Sequence, residues 1–316
     1  MNNTNITATS HSNLQIHRYV AICGVPASFV GLIFNTSMAY LLLTDKYFKK
    51  PTYQLILVSV LSDILSSTAA FIGYIFFAIV NVSYHLGSIL CKMLLFISMM
   101  SFGISIMNLS LISVHRYFII ARPLSSFYRK HKIQFLIVCE LFIYIASISI
   151  SLPILVYASS HPNLSASCDI LNITYAIAIW EFIFTFIMYI IPVSMMIIIY
   201  SKLAIIRKNH VRPGYMAPNR AEAEISQKKR FTKVLMSITF STVLFSWPHF
   251  ATMVGTAITR KTIYQISLES HIQYVLVYFA LAITLSIFVV NPFLLLKFDH
   301  NIRQKFLTLW RRRLCI

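Results

Sequence analysis

Charge is what this sequence has least of. Asp, Glu, Lys and Arg make up 11% of its 316 residues, where soluble domains run near a quarter, so the chain cannot cover a water-facing surface. Glycine and proline are sparse as well, at 7 and 10, which excludes a collagen-like or low-complexity chain. No HExxH, glycine-rich nucleotide loop, G-x-S-x-G or metal-spaced Cys/His set occurs, so the sequence offers no recognisable catalytic or zinc chemistry and does not read as an enzyme. Internal repeats and inverted halves are missing too.

What is present is apolar: 58% of residues are hydrophobic and the mean hydropathy is +0.73. A bilayer core of about 30 Å takes about 20 apolar residues per helical crossing, and lipid gives an unpaired backbone no partner, so such segments must be helices. Seven stretches qualify, at 19–43, 53–80, 91–120, 133–157, 175–206, 231–258 and 268–296. Serines interrupt the third, which suits a central span bonded to its neighbours.

The formal net charge of +18 raises nucleic acid as a partner, but its distribution argues otherwise. Segments 44–52, 116–132, 202–233 and 297–316 hold 23 of the 27 Lys and Arg, leaving only Arg18, Lys92, Arg260 and Lys261 elsewhere. Basic clusters that flank alternate spans mark the cytoplasmic side, so the N-terminus is expected outside and the C-terminus inside. Glycosylation sequons at Asn2, Asn5, Asn81, Asn163 and Asn172 all fall on the expected outer side, whereas those at Asn35 and Asn108 lie within spans. The expected organisation is an extracellular tail at 1–18, a seven-transmembrane domain at 19–296, and a cytoplasmic amphipathic helix and tail at 297–316. No signal peptide is visible before the first span. In the last segment Ile302, Phe306, Leu309 and Trp310 recur at helical spacing between basic residues, the pattern of a helix lying on the membrane. Cys315 at its end is a candidate for palmitoylation, with a plain thiol as the alternative. The long inner loop carries Arg212-Pro213-Gly214 and Ala217-Pro218-Asn219, breaker signals expected to separate two helical extensions.

The third span ends in His115-Arg116-Tyr117 followed by Arg122-Pro123-Leu124. This resembles the Asp-Arg-Tyr segment of rhodopsin-like, G-protein-coupled receptors, with His in the acid's place. In that register Gly31 and Asn35 match the first span, Leu61-Ser62-Asp63 the second, Pro192 and Tyr200 the fifth, Pro248 the sixth and Asn291-Pro292 the seventh. The resemblance covers all seven spans and the terminal helix. It implies a seven-transmembrane helix bundle with a short amphipathic eighth helix, all-α, serving as a plasma-membrane receptor. Its implied partners are an extracellular ligand, a heterotrimeric G protein, an arrestin and the surrounding lipids. His115, Arg116, Tyr117, Tyr200, Pro248, Asn291 and Pro292 are the implied switch, and Cys91 and Cys168 the implied disulfide.

Several residues carry two readings. Asp63, the only acid deep in the first three spans, is costly to bury alone; Asn35, Ser105 and Asn291 are expected beside it. The resemblance implies a sodium ion there, and a purely hydrogen-bonded core is the alternative. His115 cannot pair with Arg116 as an acid would, and Lys228, Lys229 and Arg230 near the sixth span supply no carboxylate. The expectation is a weak latch and raised basal signalling, against the alternative that packing replaces the latch. Leu295 replaces an expected tyrosine, Thr242 an expected phenylalanine, and Trp247 stands one residue nearer Pro248 than in the family.

By register the ligand pocket is expected to draw on Ser98, Met99 and Phe102; Glu181, Phe184, Thr185 and Met188; His249, Phe250 and Met253; and Leu281 and Leu285. Ser98 stands where amine receptors have an aspartate and Leu285 where opsins have a lysine, which disfavours both ligand types. An aromatic and Met-rich lining suits a peptide or an apolar small molecule. Glu181 either pairs a basic ligand group or is a hydrated carboxylate at the rim. The rival class, a seven-span transporter or channel, requires matched halves or a filter of ring-forming acids, and neither is visible.

Overall fold

The computed structural model describes residues 3–79, 83–121, 126–161, 164–209 and 219–314, with side chains described in all but parts of these. The glycosylation candidates Asn2, Asn81 and Asn163, the Arg122–Leu124 segment and Cys315 lie outside the described residues, as does the side chain of Asn5. Asn172 is exposed.

Seven helical segments among the described residues are long and apolar enough to cross a bilayer. The first lies in α1 (Asn3–Thr44), a helix that begins well before its membrane stretch. The next three lie in α2 (Pro51–Ile79), α3 (Tyr84–Ala121) and α4 (Ser126–Ser151), the fourth continuing through the short α5 (Pro153–Tyr157). Strands β1 (Ala158–His161) and β2 (Leu164–Ile170) then form an antiparallel hairpin with Ser160 opposite Cys168. The fifth span comprises α6 (Tyr175–Thr185), one π-helical turn at Phe186–Ile190 and α7 (Ile191–Asn209). Pro192 has no N–H for the carbonyl four residues back, and the Ile191 N–H reaches Phe186 O instead, the wider turn such a gap favours.

The sixth span is the membrane part of α8 (Asn219–Thr259). Between α7 and α8 the helical extensions expected from the loop sequence are present, while the breaker residues 210–218 lie outside the described set. Next comes α9 (Ile263–Glu269), which starts at a capping box: Thr262 Oγ1 accepts the Gln265 N–H and Gln265 Oε1 accepts the Thr262 N–H. The seventh span is α10 (His271–Leu285) and α11 (Ile287–Phe298), broken at Ser286. Finally α12 (His300–Leu314) is the amphipathic helix expected from the sequence. Its Ile302 is fully buried in the bundle's core rather than facing outward.

The outer faces are greasy. Ile137, Val138, Leu141, Phe142 and Ile145 on α4 are all exposed, as a lipid-facing stripe must be. The inner faces carry the polar residues instead: Ser101, Ser105, Ser110 and Ser113 on α3 are buried, which places this serine-bearing helix at the centre. Asn108 donates to Leu55 O at 2.6 Å and to Ser59 Oγ at 2.8 Å, binding α3 to α2 where a hydrogen bond has no water to compete with. Gly103 lets α3 approach the π turn: a Cβ there would meet Met188 Sδ at 2.9 Å and Ser147 Oγ at 3.4 Å.

The two ends of the bundle differ. At one end Cys91 on α3 is joined to Cys168 on β2, their Cα atoms 5.5 Å apart; this is the disulfide end. At the other, the basic end, Lys305 of α12 pairs with Asp45 at 2.7 Å, so the tail helix closes onto the first inter-span turn.

Candidate functional site

Three layers stack along the bundle axis. Nearest the disulfide end is an aromatic cluster. Phe250 of α8 lies at its centre, with ring centroids 5.9 Å from Phe102, 6.4 Å from Phe184 and 4.5 Å from Tyr189. His249 meets Phe102 and Phe250 edge-on. Phe184, Met188 and Phe250 are almost fully buried and Phe102 nearly so. Ser98, Met99, His249, Met253 and Leu281 are half-buried, with Met99 and Met253 packed against this core. Of the expected pocket residues, Met99, Phe102, Phe184, Met188, His249, Phe250 and Met253 thus lie in or against one aromatic core.

Leu285 departs from that expectation. It turns away from the aromatic cluster and lines a separate cavity of about 360 Å³ with Tyr19, Tyr74 and Phe288, between α1, α2 and the seventh span. Glu181 departs from one of its two readings: it is 3% exposed and accepts a hydrogen bond from Thr256 Oγ1 at 3.3 Å, so it is not a hydrated rim carboxylate. Trp180, absent from the expected set, donates its indole N–H to Ile150 O at 2.9 Å and packs on Phe184.

Over this layer sits the hairpin. Asp169 beside the disulfide accepts the Ile170 N–H at 2.8 Å and the Tyr264 N–H at 2.9 Å, and His161 stacks on Tyr264. Burial pushes the Asp169 carboxyl up to about 6, against the pull of those N–H donors. One loop carboxylate thus docks the hairpin onto α9.

The middle layer is polar. Ser105 Oγ donates to Asp63 Oδ1 at 3.1 Å and Asn291 Nδ2 to Asp63 Oδ2 at 3.3 Å. Thr242 Oγ1 of α8 donates in turn to Asn291 Oδ1 at 3.4 Å. A single chain of contacts therefore runs through α3, α2, α11 and α8. Thr242, where a phenylalanine was expected by resemblance, makes the last link.

Asn35 does not bond Asp63. Its amide donates to Gly31 O and to Phe288 O, both at 2.8 Å. The second of these acceptors exists because Pro292 has no N–H to give the carbonyl four residues before it, and the Asn35 side chain fills the gap. Asn35, Asp63 and Asn291 line a cavity of about 20 Å³, the room one water needs.

The oxygens for a hard cation come mostly from two helices. Asp63, Ser105 and the hydrogen-bonded pair Ser66 and Ser101 supply a carboxylate and hydroxyls from α2 and α3. From the seventh span Ile287 and Phe288, both buried, present only carbon. A sodium ion would draw mainly on α2 and α3, with the Asn291 amide as the seventh span's side chain beside Asp63.

The third layer is at the basic end. His115 is 2% exposed and hydrogen-bonded to the Tyr128 hydroxyl of α4, whose ring stacks on Phe118 at 4.5 Å. The position that lacks an acid thus ties α3 to α4. Arg116 lies in the electrostatic field of Tyr53, Tyr200 and Asp299, and Tyr117 packs against the core. Thr239 Oγ1 of α8 donates to the Tyr200 hydroxyl of α7 at 3.3 Å. Asp299 was not foreseen: it accepts the Tyr53 hydroxyl at 3.0 Å and caps α12 through the Asn301 and Ile302 N–H groups.

With this geometry in view, two likenesses to known proteins are informative. The family described as 7 transmembrane receptor (rhodopsin family) matches residues 34–295. The somatostatin receptor type 4 of Rattus norvegicus is 23% identical over 306 residues, which span 94% of this chain and 73% of that receptor.

Proposed function

The chain belongs to the rhodopsin family of seven-transmembrane receptors, and on that footing we propose that it takes up an extracellular ligand at the aromatic layer and activates a heterotrimeric G protein at the basic end. Family membership makes it a multi-pass membrane receptor coupled to G proteins rather than an enzyme. The observation that carries the finer reading is the chain Ser105–Asp63–Asn291–Thr242. It lies between Phe250 and Tyr200 and touches four spans, so a shift of α8 at one end changes its bonding before reaching the other.

Each layer has a part in this reading. Glu181, buried and bonded to Thr256, favours a ligand bringing a basic group together with apolar surface, as a peptide or an apolar amine-bearing molecule does. Phe250 lies two residues from Pro248, so ligand contact acts close to a point where α8 lacks a backbone bond and can pivot. The Thr239–Tyr200 bond holds α8 to α7 at the basic end, and outward movement of α8 opens it. Arg116 and Tyr200 then face the G protein, and the same opening receives arrestin. The basic loops support an N-terminus outside the plasma membrane and a C-terminus in the cytoplasm.

The test is nucleotide exchange on purified α subunits by the chain in nanodiscs, screened against a peptide library. Arg116→Ala is expected to abolish exchange and Glu181→Gln to reduce the potency of basic ligands. An N-terminal epitope tag is expected to bind antibody on intact cells. Failure of the wild-type chain to speed exchange on every α subunit, or a tag reachable only after permeabilisation, overturns the reading.

A further inference from the structure

The α-helix turns about 100° per residue, so the displacement of Trp247 by one position has a structural consequence. Ser246 takes the inward direction; it is fully buried and bonds back to Thr242 O at 2.6 Å. Trp247 points out of the bundle and is 54% exposed. There it lines a groove of about 830 Å³ between α8 on one side and α9 and α10 on the other. That volume falls within the range of about 300–1,000 Å³ typical of small-molecule sites.

The groove is graded in polarity along its length. Near mid-membrane its walls are Trp247, Pro248, Leu276 and Ile283; at the disulfide end they are Thr259, Lys261, Glu269 and Gln273. Thr252 and Thr259 turn their hydroxyls back to carbonyls of their own helix, and the Thr256 hydroxyl is shared between Met253 O and Glu181, so the surface between the two ends demands no water. Gly255 lies midway, and a Cβ built on it meets nothing within 4 Å, which leaves the groove open over a full turn. From Leu244 to Thr259 it follows α8 for about 22 Å at the usual helical rise, the scale of an extended long acyl chain. At its polar end Lys261 and Glu269 pair with each other, their side chains 43% and 52% exposed. Among the few cations away from the basic end, Lys261 is the one at this mouth.

We propose that this groove is a second ligand site, for a single-chain amphiphile with an acidic head group. The head displaces the Glu269 carboxylate from Lys261, with the Gln273 amide beside it, and the tail runs past Gly255 to Trp247. The foot of the groove is also where α10 is fastened to α8, by Thr284 Oγ1 on Phe245 O at 2.9 Å. A tail reaching Pro248 therefore abuts both the hinge and its brace. The site differs from the aromatic layer in face and in ligand chemistry, and its occupancy is measurable without any G protein.

The experiment uses the full chain in phosphatidylcholine nanodiscs, with tryptophan fluorescence quenched by three probes of equal chain length: a brominated fatty acid, the corresponding brominated lysophosphatidate and a neutral brominated monoacylglycerol. The expected result is saturable quenching by the acidic probes, with the fatty acid and lysophosphatidate arms deciding between carboxylate and phosphate heads. Trp247→Phe removes the saturable component although Trp180 and Trp310 remain. Lys261→Glu weakens the acidic probes by about tenfold or more, the loss of a charge-assisted contact, and leaves the neutral probe unchanged. Gly255→Phe fills open space and abolishes saturable quenching with Trp247 still in place. Quenching that rises in proportion to probe mole fraction, alike for all three probes and indifferent to Gly255→Phe and Lys261→Glu, is contact with bulk lipid and overturns the proposal.

Discussion

Replacing Thr239 by valine removes one hydrogen bond and almost nothing else. The Thr239 hydroxyl donates to Tyr200 across α7 and α8, and it is buried, so no water stands in for it. Tyr200 is the poorer place to cut, because its hydroxyl also meets Ser113 and the field of Arg116. A buried neutral hydrogen bond contributes about 0.5–1.5 kcal/mol net. If the bond exists only while the basic end is closed, its loss shifts the closed-to-open ratio by that amount, about twofold to about twelvefold. Ligand-free nucleotide exchange on a reconstituted α subunit reads the shift directly, because the open form is the minor one and exchange follows its population. Thr239→Ser keeps the hydroxyl and is expected to behave as wild type. Unchanged or reduced basal exchange in Thr239→Val, at equal reconstitution and unaltered thermal stability, refutes the reasoning that this bond belongs to the closed state.

Four further outcomes are expected. His115→Asp places an acid next to Arg116 while keeping an acceptor for Tyr128, and is expected to lower basal exchange; no drop refutes a weak latch at this position. Asp169, with its carboxyl raised from the ordinary 3.8 to about 6, binds its proton more tightly folded than unfolded. Its contribution to stability is therefore fully present below about 4 and lost as pH rises through 6, by up to about 3 kcal/mol; Asp169→Asn should flatten the part of the wild-type melting profile that falls between pH 4 and 7. Sodium in place of choline at constant ionic strength should raise the melting temperature of the wild type and not of Asp63→Asn; equal shifts in both would remove the ion from Asp63. Both carboxylate oxygens of Glu140 are buried without a hydrogen-bond partner among the described residues, a costly arrangement in a membrane, so Glu140→Gln should raise thermal stability by about 1 kcal/mol or more, and a lower melting point would expose an overlooked partner.

The spans are legible in the sequence because hydropathy over 20 residues is a property of composition: six of the seven described membrane helices begin and end within four residues of the expected stretches, and the third begins seven residues earlier, at Tyr84. The disulfide follows from likeness to the family and is present. Side-chain direction is much less legible. Leu285 lies one helical turn beyond Leu281 in α10, yet it lines the cavity against α1, a placement that counting residues does not reveal. Glu181 reads equally as rim or core until Thr256 is seen to reach it. Asn35 reads as a partner of Asp63, since both are polar in apolar spans; that a proline 257 positions away creates a better acceptor is a fact of tertiary structure. The Thr262–Gln265 box was within reach of the sequence as a T-x-x-Q signal; α9, which it starts, ends at Glu269, and the last span begins only at His271.

Asp299 has a bearing on how the chain tolerates added cargo. It fastens the root of α12 to Tyr53 with one oxygen while the other collects the helix's first free N–H groups, and Ile302 plugs the core one turn later. The heading of the last helix is thus dictated by protein before any lipid touches it. A reporter spliced in at the junction of α11 and α12 would pull out this root and disturb the second span through Tyr53, whereas one appended beyond Leu314 would dangle from a helix already nailed down.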